Sequence, residues 1–254
     1  MIKAERQERI RQLVEQRGAV SVKEIAQALD VSEMTVRRDL EEMSNLGDLV
    51  RVHGGARSGG SRRQSMLRGE SSHVEKRGRN AAAKLAIARL AVSLIEPEST
   101  VFLGAGTTVE QMVPLLPKTH LRIVTNSLSV FNMLEGETHY DLFLIGGAFR
   151  ARTAAFVGPL AEEAISKVGL DIAFIGANGV CDGEVSTSNA EEGHFQKLAF
   201  DKADVRYLVA DASKLGRRDF FSFYRLNDLD GLICDDAISS TERAAVEEYT
   251  DIVL

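Results

Sequence analysis

Two cysteines, Cys181 and Cys234, are all that the 254 residues contain. Their positions show no metal-ligand spacing and make no disulfide framework. That excludes a zinc module and a disulfide-stapled scaffold, and it leaves a reducing cytoplasm as the expected setting. Long apolar runs are missing too. None approaches the roughly 18 residues of a membrane span. The best candidate, 81–95, is interrupted by Lys84 and Arg89 and reads as an amphipathic helix. The opening MIKAERQERIRQL has no apolar signal core, so export is not expected. Nor is there an excess of positive charge. The formal net charge is -6, which argues against indiscriminate nucleic-acid binding.

What is present is ordinary for a globular chain, 44% hydrophobic and 27% charged. The length suits one large domain or two smaller ones. Charge is unevenly placed. Residues 1–60 hold ten basic and ten acidic side chains, residues 61–80 six and two, and residues 81–254 fifteen and twenty-five. The first eighty residues are therefore +4 and the remainder -10. A small, locally basic reader on an acidic body fits that division.

Ile10, Leu13 and Val14 recur at helical spacing and predict a helix over 6–16, ended by Gly18. Ser21 followed by Glu24 has the capping-box pattern and opens a second helix, VKEIAQAL. Asp30 and Val31 make a tight turn. Ser32 then caps a third helix that runs to about Ser44. DLVRVHGGA, 48–56, reads as a β-hairpin. On a wheel of about 100° per residue, Val36, Leu40 and Met43 form the buried face of the third helix. Met34 and Arg38 lie opposite, and Thr35 and Arg37 sit on the flanks. Arginine can grip guanine bidentately, threonine can touch a base or a phosphate, and an apolar side chain can meet a thymine methyl. The same residues also fit a salt-bridged surface helix, with Glu33–Arg37, Arg37–Glu41 and Arg38–Glu42 as pairs across one turn. The surrounding plan of three helices and a hairpin carrying Arg51 and His53 is that of a winged helix-turn-helix, which favours DNA reading.

Residues 57–78 are rich in Gly, Ser and Arg and poor in large apolar side chains, a linker composition. From residue 80 onward, helical patterns alternate with six short apolar runs: TVFLGAG, LRIVTNS, YDLFLIGG, LDIAFIGANG, VRYLVAD and DGLICDD. That alternation predicts an α/β domain with a mostly parallel sheet, in which ligands collect at the carboxyl ends of the strands. The expected division is 1–57 for the winged helix, 58–78 for the linker and 79–254 for the α/β domain.

ERQERIRQLVEQRGAVSVKEIAQALDVSEMTVRRDLEEMSNLGDLVRVHGGA, residues 5–56, resembles the N-terminal signature of the DeoR-type family of bacterial transcriptional repressors. VSEMTVRRDL and RVHGGA are its most specific parts. The resemblance continues through GAGTT (104–108), VTNSL (124–128), IGGAFR (145–150), DIAFIGANGV (171–180) and DASKLG (211–216). It implies a Rossmann-like α/β sensor domain resembling ribose-5-phosphate isomerase and glucosamine-phosphate deaminase folds. It also implies a repressor of a sugar or carbohydrate operon, relieved by a phosphorylated sugar or related metabolite. Ser32, Met34, Thr35, Arg37 and Arg38 would then lie on the recognition helix, with Arg51 and His53 in the wing. Double-stranded operator DNA and a homodimer or homotetramer are the implied partners. No cofactor, metal or catalytic residue is expected.

The candidate effector residues make physical sense without the family. Gly104, Gly106, Thr107 and Thr108 follow an apolar run and precede a helical one, where backbone N–H groups and hydroxyls favour an anion. The same residues also read as a plain tight turn. Thr125 and Asn126, Gly146 and Gly147, and Asn178 end other strands in the same style. Arg150 and Lys214 are the cations favoured to neutralise a phosphate. A dinucleotide site fits less well, because Val109 stands where G-x-G-x-x-G needs its third glycine, and no P-loop pattern occurs. The alternative is a sugar-phosphate isomerase or deaminase-like enzyme with an appended DNA-binding module. Against it, the isomerases' acidic DGADE segment aligns with IGANG (175–179), which has no carboxylate. Glu191 and Glu192 read as a polar helix start. Gly104 stands where many members of the repressor family carry an acidic residue.

Overall fold

The computed structural model describes residues 3–17, 19–46, 49–52, 54–57 and 73–254. The chain divides into two compact units, Met1–Leu67 and Arg68–Leu254. Gly18, His53 and residues 58–72 of the expected linker lie outside the described residues.

The first unit holds α1 (Lys3–Arg17), β1 (Ala19–Ser21), α2 (Val22–Leu29), α3 (Glu33–Leu46), β2 (Val50–Val52) and β3 (Gly55–Arg57). The capping box at the start of α2 is formed in both directions. The Ser21 hydroxyl accepts from the Glu24 N–H, and the Glu24 carboxylate accepts from the Ser21 N–H at 2.8 Å. Asp30 ends α2 in the left-handed region (φ 51°), donating its N–H back to Ala26. That residue makes the sharp turn into α3. Ile10 and Val14, then Ile25 and Leu29, then Val36, Leu40 and Met43 are buried together against Leu49 and Ala56. Each such burial contributes about 2 kcal/mol. The three strands form an antiparallel sheet in the order β1-β3-β2. β1 was not foreseen from the sequence, and it fixes the root of the wing. A Cβ on Gly55 would lie 2.3 Å from the Val20 carbonyl oxygen, so β3 can approach β1 only with glycine there.

In the second unit the stretch read as linker ends in a short helix, α4 (His73–Arg77). There follow α5 (Ala81–Ser93), β4 (Thr100–Leu103), α6 (Thr107–Glu110), β5 (Leu121–Thr125), α7 (Leu128–Leu134), β6 (Tyr140–Leu144), β7 (Ala148–Arg150), β8 (Ala155–Val157) and α8 (Pro159–Ser166). The chain continues through β9 (Leu170–Gly176), β10 (Gly179–Cys181), β11 (Glu184–Thr187), α9 (Ala190–Asp201), β12 (Ala203–Val209), β13 (Phe221–Arg225), β14 (Gly231–Ile233), α10 (Ser240–Glu247) and β15 (Ile252–Val253). Seven strands make one parallel sheet in the order β15-β14-β12-β9-β4-β5-β6. All six apolar runs read from the sequence are among them.

The central strands are apolar on both faces because helices cover both. Val101, Leu103, Ile123, Ile172 and Phe174 pack with Ile87, Ala88 and Ala91 of α5 and Val130 and Leu134 of α7. Their neighbours Phe102, Val124, Ala173 and Ile175 pack with Ala161 and Ile165 of α8 and Phe195, Ala199 and Phe200 of α9. The chain builds β4, β5 and β6 in one direction, then returns to lay β9 on the other side of β4. The strand order therefore reverses between β4 and β9, the position at which such sheets form their ligand crevice, outside the carboxyl ends of the strands. Among the described residues no helix is long and apolar enough to cross a membrane.

Candidate functional site

Two surfaces concern function, one on each unit. On the first, the Ser32 hydroxyl accepts from the Thr35 N–H at 3.2 Å and lies 2.9 Å from the Thr35 hydroxyl, so the start of α3 is capped. Val36, Leu40 and Met43 are fully buried, as the wheel requires. Met34 is 71% exposed, and Arg37 and Arg38 are exposed beside it. Arg51 is exposed on β2.

The acids of this helix are distributed in a way the sequence did not disclose. Asp39 is buried and takes two hydrogen bonds from the Arg6 guanidinium of α1, one of them at 3.1 Å. The Asp39 hydrogen bond raises the Arg6 pKa despite burial. Glu42 pairs with Lys3 at 2.6 Å, and Glu41 lies 3.9 Å from Arg51. Neither expected pair, Arg37–Glu41 or Arg38–Glu42, is among these. Arg37 keeps only the looser Glu33 contact at 3.5 Å, and Arg38 has no ion-pair partner among the described residues. The carboxylates thus brace α3 against α1 and the wing, while the two arginines face outward at its N-terminal half.

On the second unit the crevice between β4 and β9 gathers part of the expected set. Gly104, Gly106, Thr107 and Thr108 follow β4, Asn178 follows β9, and Lys214 follows the next strand, β12. Gly104 is wedged against β9, donating its N–H to the Phe174 carbonyl at 3.0 Å. A Cβ on Gly106 would meet nothing within 4 Å, and its φ of 168° suits any residue. The helix after this loop, α6, is a single turn. Its dipole is correspondingly small, so any strong attraction for an anion has to come from side chains.

Those side chains are mostly ones the sequence reading passed over. Lys84 of α5 is 4% exposed. Its ammonium donates to the Thr107 hydroxyl at 2.9 Å and to the Lys76 carbonyl of α4 at 2.6 Å. Burial lowers its pKa to about 8, with Lys214 and Lys76 adding to the shift and Asp211 and Glu110 opposing it. Lys76 donates to the Asn178 side-chain oxygen at 2.8 Å. Burial lowers Lys214 as well, against the pull of Asp211.

Asp211 is buried. Desolvation alone would raise it, but Lys214, Ser213, Asn80 and Lys84 together hold it below its ordinary value. One of its oxygens accepts from Asn80 at 2.8 Å and from the Ser213 hydroxyl. The other, Oδ2, is buried with no hydrogen-bond partner among the described residues. The signal that could have found Lys84 is its spacing. It stands three, four and seven residues before Ile87, Ala88 and Ala91, on the buried stripe where an apolar side chain is expected.

The other expected residues lie elsewhere or are already occupied. Thr125 is fully buried and donates to the Leu103 carbonyl at 2.6 Å. Asn126 donates to the Phe156 carbonyl at 2.9 Å, tying β5 to β8. Gly146 and Gly147 follow β6, the sheet's edge strand. That is three positions from β9, or about 14 Å at the usual strand spacing. A Cβ on Gly147 would lie 2.6 Å from the Val157 carbonyl oxygen, a packing reason for that glycine. Arg150 bonds the buried Glu192 at 2.9 Å, and Thr153 shares the same carboxylate oxygen.

A helix-turn-helix model described as DeoR-like matches residues 6–62, and the DeoR C terminal sensor domain matches residues 79–236. The chain belongs to the DeoR family. A "Lactose phosphotransferase system repressor" of Streptococcus mutans is 41% identical over 256 residues, covering the whole of both chains. One from Staphylococcus epidermidis is 39% identical over 255 residues, again covering both chains entirely. Among solved structures, ribose 5-phosphate isomerase A of Methanocaldococcus jannaschii aligns at 18% identity and a TM-score of 0.40. That alignment covers 53% of this chain and 54% of the isomerase. This DeoR-family chain is a DNA-binding transcriptional repressor and not an enzyme.

Proposed function

We propose that this repressor controls a sugar operon and is released from its operator by a phosphorylated sugar bound at the carboxyl ends of β4, β9 and β12. The N-terminal half of α3 enters the major groove with Ser32, Met34, Thr35, Arg37 and Arg38, while the wing residues Arg51 and His53 reach phosphates. Two or more copies present their winged helices at the spacing of operator half-sites. The names of the full-length relatives support a sugar operon.

One observation carries the effector reading: three lysines, Lys76, Lys84 and Lys214, gather at the strand-order reversal beside a buried, ionised aspartate. Lys84, Lys214, the Thr107 hydroxyl and the loop N–H groups suit a phosphate. The unpartnered Asp211 oxygen suits a sugar hydroxyl, and the open space at Gly106 lets a ligand come close to the backbone. Asp211 thereby supplies the carboxylate that Gly104 lacks.

A thermal-shift screen of the full chain tests this. Phosphorylated hexoses and pentoses are compared with the same sugars unphosphorylated, because a ligand bound only by the folded state raises the melting temperature. A shift with phosphorylated members alone is the expected result. Equal shifts with free sugars, or none with any sugar phosphate, would overturn the reading.

A further inference from the structure

Helix α4 is tied to the sensor unit by polar contacts that converge on the crevice. The His73 N–H donates to the Arg152 carbonyl at 2.8 Å, and His73 Nε2 lies 2.5 Å from Oε1 of Glu110, the buried last residue of α6. Lys76 holds the Asn178 side-chain oxygen, and Lys84 caps the Lys76 carbonyl while it holds Thr107. The turn after α4 is held too: Asn80, left-handed at φ 52°, donates to Asp211 and Ser213. Apart from the Arg152 carbonyl in the β7–β8 turn, the elements that hold α4 are thus those that form the crevice. In sequence, α4 is the first described element after the winged helix, with residues 58–72 between.

We propose that α4 is a latch operated by the effector: an anion entering the crevice takes Lys84 and Lys76 from the acceptors that dock α4, and α4 lets go. This rests on the effector reading above. The acceptors through which the two ammonium groups dock α4, the Lys76 carbonyl and the Asn178 amide oxygen, are neutral, as is the Thr107 hydroxyl that Lys84 also holds. A phosphate offers charged oxygens, which add the direct attraction between opposite charges to the hydrogen bond an ammonium already makes with a neutral oxygen. The exchange therefore runs toward the anion and strips α4 of its C-terminal cap and of its Asn178 anchor. The docked helix belongs to the operator-binding state. Its release alters the chain leading to the winged helix, which is how one ligand shifts a population between two states. Lys76 is a positioning residue in this scheme.

The test uses the full chain and an operator duplex selected from random-sequence DNA by the unmodified protein. Lys76→Ala and Asn178→Ala break one anchor from its two sides. Each is expected to weaken operator binding at least tenfold with no ligand present, while Lys76→Arg, which keeps a charged donor, restores it to within threefold. Melting curves establish that each variant is folded. Operator affinity within threefold of the parent in both folded alanine variants overturns the latch.

Hydrogen exchange adds a second arm, with inorganic phosphate and the hexose 6-phosphates as probes. A probe that raises the melting temperature is expected to speed amide exchange at residues 73–77. A probe that stabilises the protein while leaving that exchange unchanged also overturns the latch. Failure of every probe to stabilise the protein counts against the effector reading instead, and the alanine variants still decide the latch without ligand.

Discussion

Three residues carry the sharpest consequences. Arg38 is exposed, and the neighbouring acids are engaged by Lys3, Arg6 and Arg51. If it reads a base, Arg38→Ala loses roughly 1–3 kcal/mol of operator binding and relaxes specificity at one position. If it grips phosphate, binding weakens evenly across sequences and the salt slope falls by about one unit. Fluorescence titrations of operator and scrambled duplexes at several salt concentrations separate the two. Unchanged binding in both Arg37→Ala and Arg38→Ala would remove α3 from the groove.

Lys84 makes a pH prediction. Its pKa falls from 10.5 to about 8 on folding. Between those values the unfolded chain holds a proton that the folded chain has released, so stability rises with pH across that window. Below about pH 8 both states are protonated and the full cost of the buried charge, about 3 kcal/mol, is present. Lys84→Met is expected to abolish that rise. Urea melts of the chain and the variant at pH 7.5 and 9.5 check it, and an identical pH response in the two would contradict it. Cys234 behaves oppositely: burial pushes its thiol up to about 12. A thiolate-directed reagent should therefore spare Cys234 in the native protein and reach it only after unfolding, as mass spectrometry of labelled peptides would read.

At the scale of elements, strands flanked by helices could be read from sequence because each is a short, nearly unbroken apolar run buried on both faces. Six of the seven parallel strands announced themselves in this way. The seventh, β15, has two residues and no pattern to read. The β7–β8 hairpin and the small sheet β10-β11-β13 escaped for a different reason: their strands have three to five residues, and the partners of β11 lie on both sides of it in the chain. Capping boxes are local and could be read. The crevice could be read only in part, because its loops sit at strand ends while its cations come from helices packed against them. Lys84 looked like an interruption of an apolar run, and Lys76 lay in a stretch with the composition of a linker.

The wing supplies a test at this scale. Ser21 and Gly55 are paired across β1 and β3. A Cβ at Gly55 would also come within 2.8 Å of the Ser21 Cα. Both obstacles are backbone and cannot rotate aside. Gly55→Ala should therefore cost the winged helix about 1–3 kcal/mol and weaken operator binding with it, while sugar-phosphate binding stays intact. Full operator affinity in Gly55→Ala would mean that β1 does not anchor the wing.

For the whole molecule, the two units are joined by one chain and serve two ligands, so their coupling obeys linkage. If a sugar phosphate lowers operator affinity by some factor, operator DNA must lower sugar-phosphate affinity by the same factor. A fiftyfold effect corresponds to a coupling free energy of about 2.3 kcal/mol, within the usual range for such proteins. The measurement is a pair of calorimetric titrations with the stabilising sugar phosphate, one on the free protein and one on the protein saturated with its operator duplex. The weakening seen in the second must match the loss of operator affinity measured separately at saturating sugar. Equal sugar affinity with and without operator would mean that the crevice is not the inducing site, however tightly it binds. The latch refines this expectation. Lys76→Ala already lies toward the released state, so operator DNA should change its sugar affinity less than it changes that of the parent. A folded variant that binds DNA more weakly, with its coupling diminished, would place the origin of the coupling at α4.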